Sequence, residues 1–175
     1  MKISCILFLS LFMACNSTKK SNESINTALE TSMECPKGGE CTFSVMKNMA
    51  MLMKKDGTGM SYPEFVENRG TNVIKFRFHK ESPQGMADGN YTEEVYMEIK
   101  DDVKNLSLKD EALQEVKLVF NRMCFCERGT VGYFPIIDGN LEYQRNSDSA
   151  SVVLSFANNK VPQRLEKIAG EVSLE

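Results

Sequence analysis

The sequence predicts a mainly β domain, an antiparallel sandwich or open barrel of about seven or eight strands with one or two short helices. Three observations carry that expectation. Short runs alternate apolar and polar residues with a period of two, the pattern of a sheet with one buried face. Clusters of Gly, Pro, Asn and Asp separate those runs at close intervals. Hydrophobic residues make up 42% of the 175 and charged residues 26%, the balance of a globular domain long enough to bury a core.

Cys41, Phe43 and Val45 alternate with polar neighbours and predict a first strand over 41–46, which 49–54 continues after Lys47-Asn48. A loop is expected over 56–70, where Asp56-Gly57, Gly59, Pro63 and Asn68-Arg69-Gly70 interrupt the chain. Residues 73–79 place Ile74, Phe76 and Phe78 on one face and Lys75, Arg77 and His79 on the other. After Ser82-Pro83-Gln84-Gly85 and Asp88-Gly89-Asn90, residues 91–100 alternate again. Val95, Met97 and Ile99 point inward there, and Glu94, Tyr96 and Glu98 outward. Ser107 is placed to cap a short helix over 108–115, with Asp110 at the capping-box position. Val116, Leu118 and Phe120 lead a strand into Cys124 and Cys126. Asp138-Gly139-Asn140 reads as the turn of a hairpin joining 131–137 to 141–145. Val152, Leu154 and Phe156 mark one more strand. Pro162 opens a helix with Leu165, Ile168 and Ala169 on one side and Gly170 after it.

Lys2 is followed by about a dozen apolar or small residues, the length of a secretory h-region and too short for the roughly 20 that span a bilayer. The run stops at Ala14-Cys15, and Asn16-Ser17-Thr18-Lys19-Lys20 follows at once. The stretch Phe12-Met13-Ala14-Cys15 resembles the lipobox of a bacterial lipoprotein signal peptide. Ala14 fits its small position, and Phe12 departs from the usual leucine, a relaxed form similar to lipoproteins of the Bacteroidota. The resemblance implies cleavage before Cys15, a diacylglycerol on its thiol and acylation, as by palmitate, of the new amino group. Two or three chains anchor a protein stably in a membrane, where one does so marginally. No aspartate follows Cys15, which under the enterobacterial sorting pattern points to the outer membrane. The expected organisation is a signal peptide at 1–14, a polar tether at 15–33 carrying at most a short amphipathic helix near 25–33, and one domain at 34–175. As a whole the domain is similar to functionally uncharacterised Bacteroidota-type envelope lipoproteins, a resemblance that transfers no active site.

Export would put Cys35, Cys41, Cys124 and Cys126 in an oxidising compartment, where disulfides persist. Four cysteines allow three pairings. On a regular strand Cys124 and Cys126 share a face about 6.5–7 Å apart, whereas a disulfide brings Cβ atoms to about 3.8 Å. The expectation is therefore two bridges from the 35–41 segment to the 124–126 strand, in either of the two cross-pairings. Each would close about 85–90 residues and contribute on the order of 4–5 kcal/mol in the chain-entropy model. A four-cysteine zinc site and a redox-active Cys-x-Cys dithiol are the competing readings.

With 21 Lys plus Arg against 24 Asp plus Glu, the net charge of −3 gives no footprint for nucleic acid. The single His79 excludes multi-histidine zinc sites, and any Ser-His-Asp triad would depend on it. Gly57-Thr58-Gly59 lacks the strand before and the helix start after that a phosphate loop needs. Met46, Met49, Met51 and Met53, with Met60 beyond, offer soft thioethers that select Cu(I), or pack as core methionines on one strand face. His79, Lys80 and Glu81 end one strand, and Glu93, Glu94 and Glu98 crowd another. A carboxylate pair is the minimum for glycoside hydrolysis, while a solvated strand face is the ordinary reading. Together these features predict a lipid-anchored envelope protein acting as a non-enzymatic binding or structural module, with no cofactor and a protein or small-molecule ligand. A Cu(I)-binding protein and a small hydrolase without an identifiable nucleophile are the alternatives.

Overall fold

A computed structural model describes residues 33–174. The expected signal peptide, Cys15 and nearly all of the tether, including the helix near 25–33, lie outside the described residues. In chain order the strands are β1 (Glu40–Met46), β2 (Met49–Lys55), β3 (Ser61–Glu67), β4 (Thr71–Lys80), β5 (Tyr91–Lys100), β6 (Asn105–Lys109), β7 (Val119–Cys124), β8 (Gly132–Pro135), β9 (Gly139–Arg145), β10 (Ser149–Phe156) and β11 (Lys167–Ser173). One 3₁₀ helix, Asp110–Val116, lies between β6 and β7. A five-stranded sheet runs β1-β4-β5-β7-β8, a four-stranded sheet runs β11-β10-β9-β6, and β2 pairs with β3 alone. Every pairing is antiparallel. The mainly β sandwich that the alternation predicts is the architecture observed, with eleven strands among the described residues.

Period-two patterning positions the core. Ile74, Phe76 and Phe78 of β4 face Met97, Val95 and Glu93 across the pairing with β5, and Phe120 of β7 continues the row. Leu141, Val152, Leu154, Phe156, Ile168 and Val172 fill the space from the four-stranded sheet, with Leu113 and Val116 of the 3₁₀ helix closing one end. The second face of the five-stranded sheet is also covered. Met51 of β2 buries against Val73 and Tyr96, with Met46, Met49, Phe65 and Tyr133 packed around them. The β2–β3 hairpin is thus a third layer, and the outward parity of β4 and β5 is partly interior.

Five local expectations are corrected. β2 does not extend β1: Asn48 takes a positive φ of 54°, which asparagine tolerates, and reverses the chain. The 56–70 loop contains β3, because Pro63 sits opposite Met53 in an isolated hairpin, where a missing N–H disrupts no central ladder. Ser107 caps no helix. It lies in β6 with its hydroxyl donating to Glu142 at 2.6 Å, and the 3₁₀ helix begins after Lys109 without a side-chain cap. β8 and β9 are not a hairpin, since β8 pairs with β7 and β9 with β10 and β6. Gly139 serves a close approach instead: a Cβ there would meet the Ser155 carbonyl oxygen at 2.2 Å. The helix expected after Pro162 is irregular chain followed by β11, where Ile168, Gly170 and Val172 alternate inward. Gly170 lets the Phe43 ring in, to 2.8 Å from where a Cβ would stand.

Candidate functional site

The four described-region cysteines pair locally, Cys35 with Cys41 and Cys124 with Cys126. The expected cross-links to the 124–126 strand are therefore wrong. Their premise was a regular strand through Cys126, but β7 ends at Cys124 and the chain bends at Phe125. The bend brings the two Cα atoms to 5.2 Å, within bonding range. The cysteines form two separate pairs, and among the described residues no three His, Cys, Asp or Glu gather to hold a metal. The energetics shrink accordingly. In the chain-entropy model a bridge across the separation of six contributes about 2–2.5 kcal/mol and one across two about 1.5 kcal/mol.

The Cys124–Cys126 bridge stands at the end of the main core, above a polar cluster. On β7, Phe120, Arg122 and Cys124 share the inward face, opposite Val95, Glu93 and Tyr91 of β5. Arg122 Nε donates to the Tyr91 hydroxyl at 3.2 Å, and its Nη1 donates to the Thr130 carbonyl and hydroxyl, both at 2.8 Å. Two guanidiniums, Arg122 and Arg164, each lie 5.3 Å from the centre of the Tyr91 ring. Tyr91 donates in turn to Glu93, a fully buried carboxylate that also accepts from the backbone N–H groups of Arg164 and Leu165, both at 2.7 Å. Burial and the bond to Glu93 raise the Tyr91 pKa above its usual range. Beyond the cluster, Cys126 is exposed, Cys124 half-buried, and Phe125 between them is 88% exposed. A shallow depression of about 320 Å³ adjoins them, lined by Ala87, Asp88, Asn90, Thr92 and Met123.

The carboxylates do not form a solvated face. Glu93 points into the main core, and Glu94 is buried on the opposite face, where it accepts from Tyr96 at 2.6 Å and Asn121 at 3.1 Å, with Lys75 and Arg77 at 3.7 and 3.9 Å. Glu98 accepts from the Met51 N–H at 2.6 Å and from Lys117 at 2.7 Å. Lys117 also donates to the Met51 carbonyl at 2.8 Å, so Glu98 and Lys117 together clamp β2 onto the sheet. Replacing Glu98 with alanine is expected to cost about 1.5–3 kcal/mol and to speed exchange of the Met51 amide hydrogen. Unchanged stability and unchanged Met51 exchange would show that the clamp has no weight.

His79 is half-buried with Nδ1 at 2.8 Å from the Thr92 hydroxyl, so its ring meets no carboxylate on that side. Met46, Met49 and Met51 gather in the second apolar cluster, whereas Met53 is 41% exposed farther along β2. Gly59 and Asp56 belong to the β2–β3 turn, where Asp56 accepts from the Thr58 and Met60 N–H groups. Sequence reasoning passed over Tyr91, Arg122 and Arg164. The available signal was Arg122, a charge at core parity between Phe120 and Cys124. No helix among the described residues is long and apolar enough to cross a membrane. Compared with known proteins, the chain matches no family model, no curated protein and no solved structure.

Proposed function

We propose that this chain is exported to the cell envelope, lipidated at Cys15 and held on the outer membrane, where its β sandwich serves as a non-enzymatic binding or structural module. The observation that carries the reading is the pairing of all four cysteines between 33 and 174 into disulfides, a state that persists in oxidising compartments. It agrees with the lipobox-like Phe12-Met13-Ala14-Cys15 at the N-terminus. The non-enzymatic part draws on the carboxylates: Glu93, Glu94 and Glu98 each hold another part of the fold, which leaves them ill-placed as an acid–base pair.

Cys15→Ser tests the anchor. The wild-type chain is expected to begin at Cys15, to carry fatty acid by mass and to partition into detergent. The variant is expected to remain uncut and to carry none. A variant that still enters the detergent phase at the mature mass would show that Cys15 is not the anchor.

A further inference from the structure

We propose that the Cys124–Cys126 disulfide is a thiol–disulfide exchange site that oxidises a cysteine pair in an extended segment of another protein. This goes beyond the anchored-module reading. Accessibility orders the two sulfurs. Cys126 is exposed and open to attack, and Cys124, half-buried at the end of β7, is the leaving group. The leaving sulfur belongs to a face that carries Arg122 two residues earlier and Tyr91 directly opposite, with Arg164 also against the Tyr91 ring. Cationic surroundings favour a thiolate. Arg122 donates to the oxygens of Tyr91 and Thr130, and the buried Glu93 carboxylate paired across from it offsets one of the two guanidinium charges, leaving Arg164 as the second cation on the Tyr91 ring.

The bridge contributes less to the fold than Cys35–Cys41, because it spans a separation of two rather than six and runs from the last paired residue of β7 into unpaired chain. Cys35–Cys41 has the same exposure pattern, with Cys35 exposed and Cys41 half-buried opposite Phe78, but its loop is tied down where Gly39 is pressed against the Phe78 ring. Phe125 explains the preference for a polypeptide. An aromatic ring 88% exposed between two bonded cysteines, beside Met123 and a shallow depression, offers an apolar contact within reach of the reacting sulfur.

In the reaction, a partner thiolate attacks Cys126 Sγ. The Cys124–Cys126 bond breaks, and its electron pair leaves on Cys124 Sγ, which takes a proton from solvent. The partner's second thiolate then attacks the partner's own sulfur in the mixed disulfide and expels Cys126 as thiolate. The partner's dithiol loses two electrons and two protons and becomes a disulfide, and the Cys124/Cys126 pair becomes the dithiol. One disulfide is transferred per chain.

The full-length mature chain in detergent, mixed with a reduced peptide bearing two cysteines beside a phenylalanine, tests this by acid quench, alkylation and mass spectrometry. Cys124 and Cys126 are expected to become alkylatable as one equivalent of peptide is oxidised, about tenfold or more faster than Cys35 and Cys41. Cys124→Ser/Cys126→Ser should abolish the peptide oxidation, and Cys35→Ser/Cys41→Ser should retain it. Phe125→Ala should slow the peptide roughly threefold or more while leaving reduction by dithiothreitol unchanged. Peptide oxidation that survives loss of Cys124 and Cys126, or earlier opening of Cys35–Cys41 in the wild-type chain, overturns the site. A Phe125→Ala chain that handles the peptide as wild type does overturns the polypeptide preference.

Discussion

Glu93→Ala is expected to destabilise the domain by about 3–5 kcal/mol, a large part of the 5–15 kcal/mol that typically holds a domain together. Glu93 joins pieces of the molecule that nothing local brings together. It sits on β5 in the five-stranded sheet, and its carboxylate receives the N–H groups of Arg164 and Leu165 from the segment that leads into β11. That segment sends Leu165 and Val161 into the core between the two sheets. Removing the carboxylate strips the acceptor from both N–H groups and from the Tyr91 hydroxyl, and each buried donor left unmade costs roughly 1–3 kcal/mol. It also leaves Arg122 and Arg164 facing the Tyr91 ring without the nearby negative charge. Glu93→Gln keeps one carbonyl oxygen but turns an amide donor toward other donors, so about half the loss is expected there. Urea unfolding of the two variants measures both figures. An alanine variant within 1 kcal/mol of wild type, by the scale of an ordinary surface change, would show that the segment is held by apolar contacts alone.

The same residue shows how much of this fold was legible beforehand. β4 and β5 are read directly from alternation, because ten-residue strands repeat the period often enough to leave one solution. Glu93 shares the parity of Val95, Met97 and Ile99, so its inward direction was encoded. Its backbone partners at Arg164 and Leu165, 71 and 72 positions away, were not, and without them a carboxylate at core parity looks like a solvated strand end. β3 was hidden by Pro63 and its flanking turns, since the proline argument applies to central strands and β3 pairs only with β2. Gly139 and Gly170 were read as a turn and a helix stop, but both answer steric contacts from strands that local sequence cannot place. The cysteine geometry failed at one residue. The strand spacing of about 6.5–7 Å holds only while the strand continues, and Phe125 ends it. The Cys-x-Cys site was thus visible as a motif, while its exposure and the arginines near it depended on where β7 stops.

Stability should fall above pH 10, at up to about 1.4 kcal/mol per pH unit from Tyr96 alone. Tyr96 and Tyr143 are both buried, and burial comes first in raising each phenol, Tyr96 well above the ordinary tyrosine range. Tyr96 is held further by donating to Glu94, whose negative charge opposes a phenolate beside it, and Arg77 offsets this only in part. For Tyr143, Asp101 acts in the same direction as burial and Arg145 against it. The sign follows from proton counts. Below pH 10 both phenols are protonated in folded and unfolded chains, and they add no pH dependence. Above it Tyr96 ionises near pH 10 in the unfolded chain while the folded chain keeps its proton, so each further pH unit favours unfolding by up to about 1.36 kcal/mol. Tyr143, Tyr91 and Tyr133 are shifted in the same direction and add smaller shares. Urea unfolding at intervals between pH 8 and pH 11.5 reads the slope directly. Tyr96→Phe should lower stability at neutral pH by removing the bond to Glu94, and should also make the alkaline decline clearly shallower. A stability that stays level through pH 11, or a Tyr96→Phe chain that declines as steeply as wild type, would show that the Tyr96 phenol ionises in place without opening the second apolar layer.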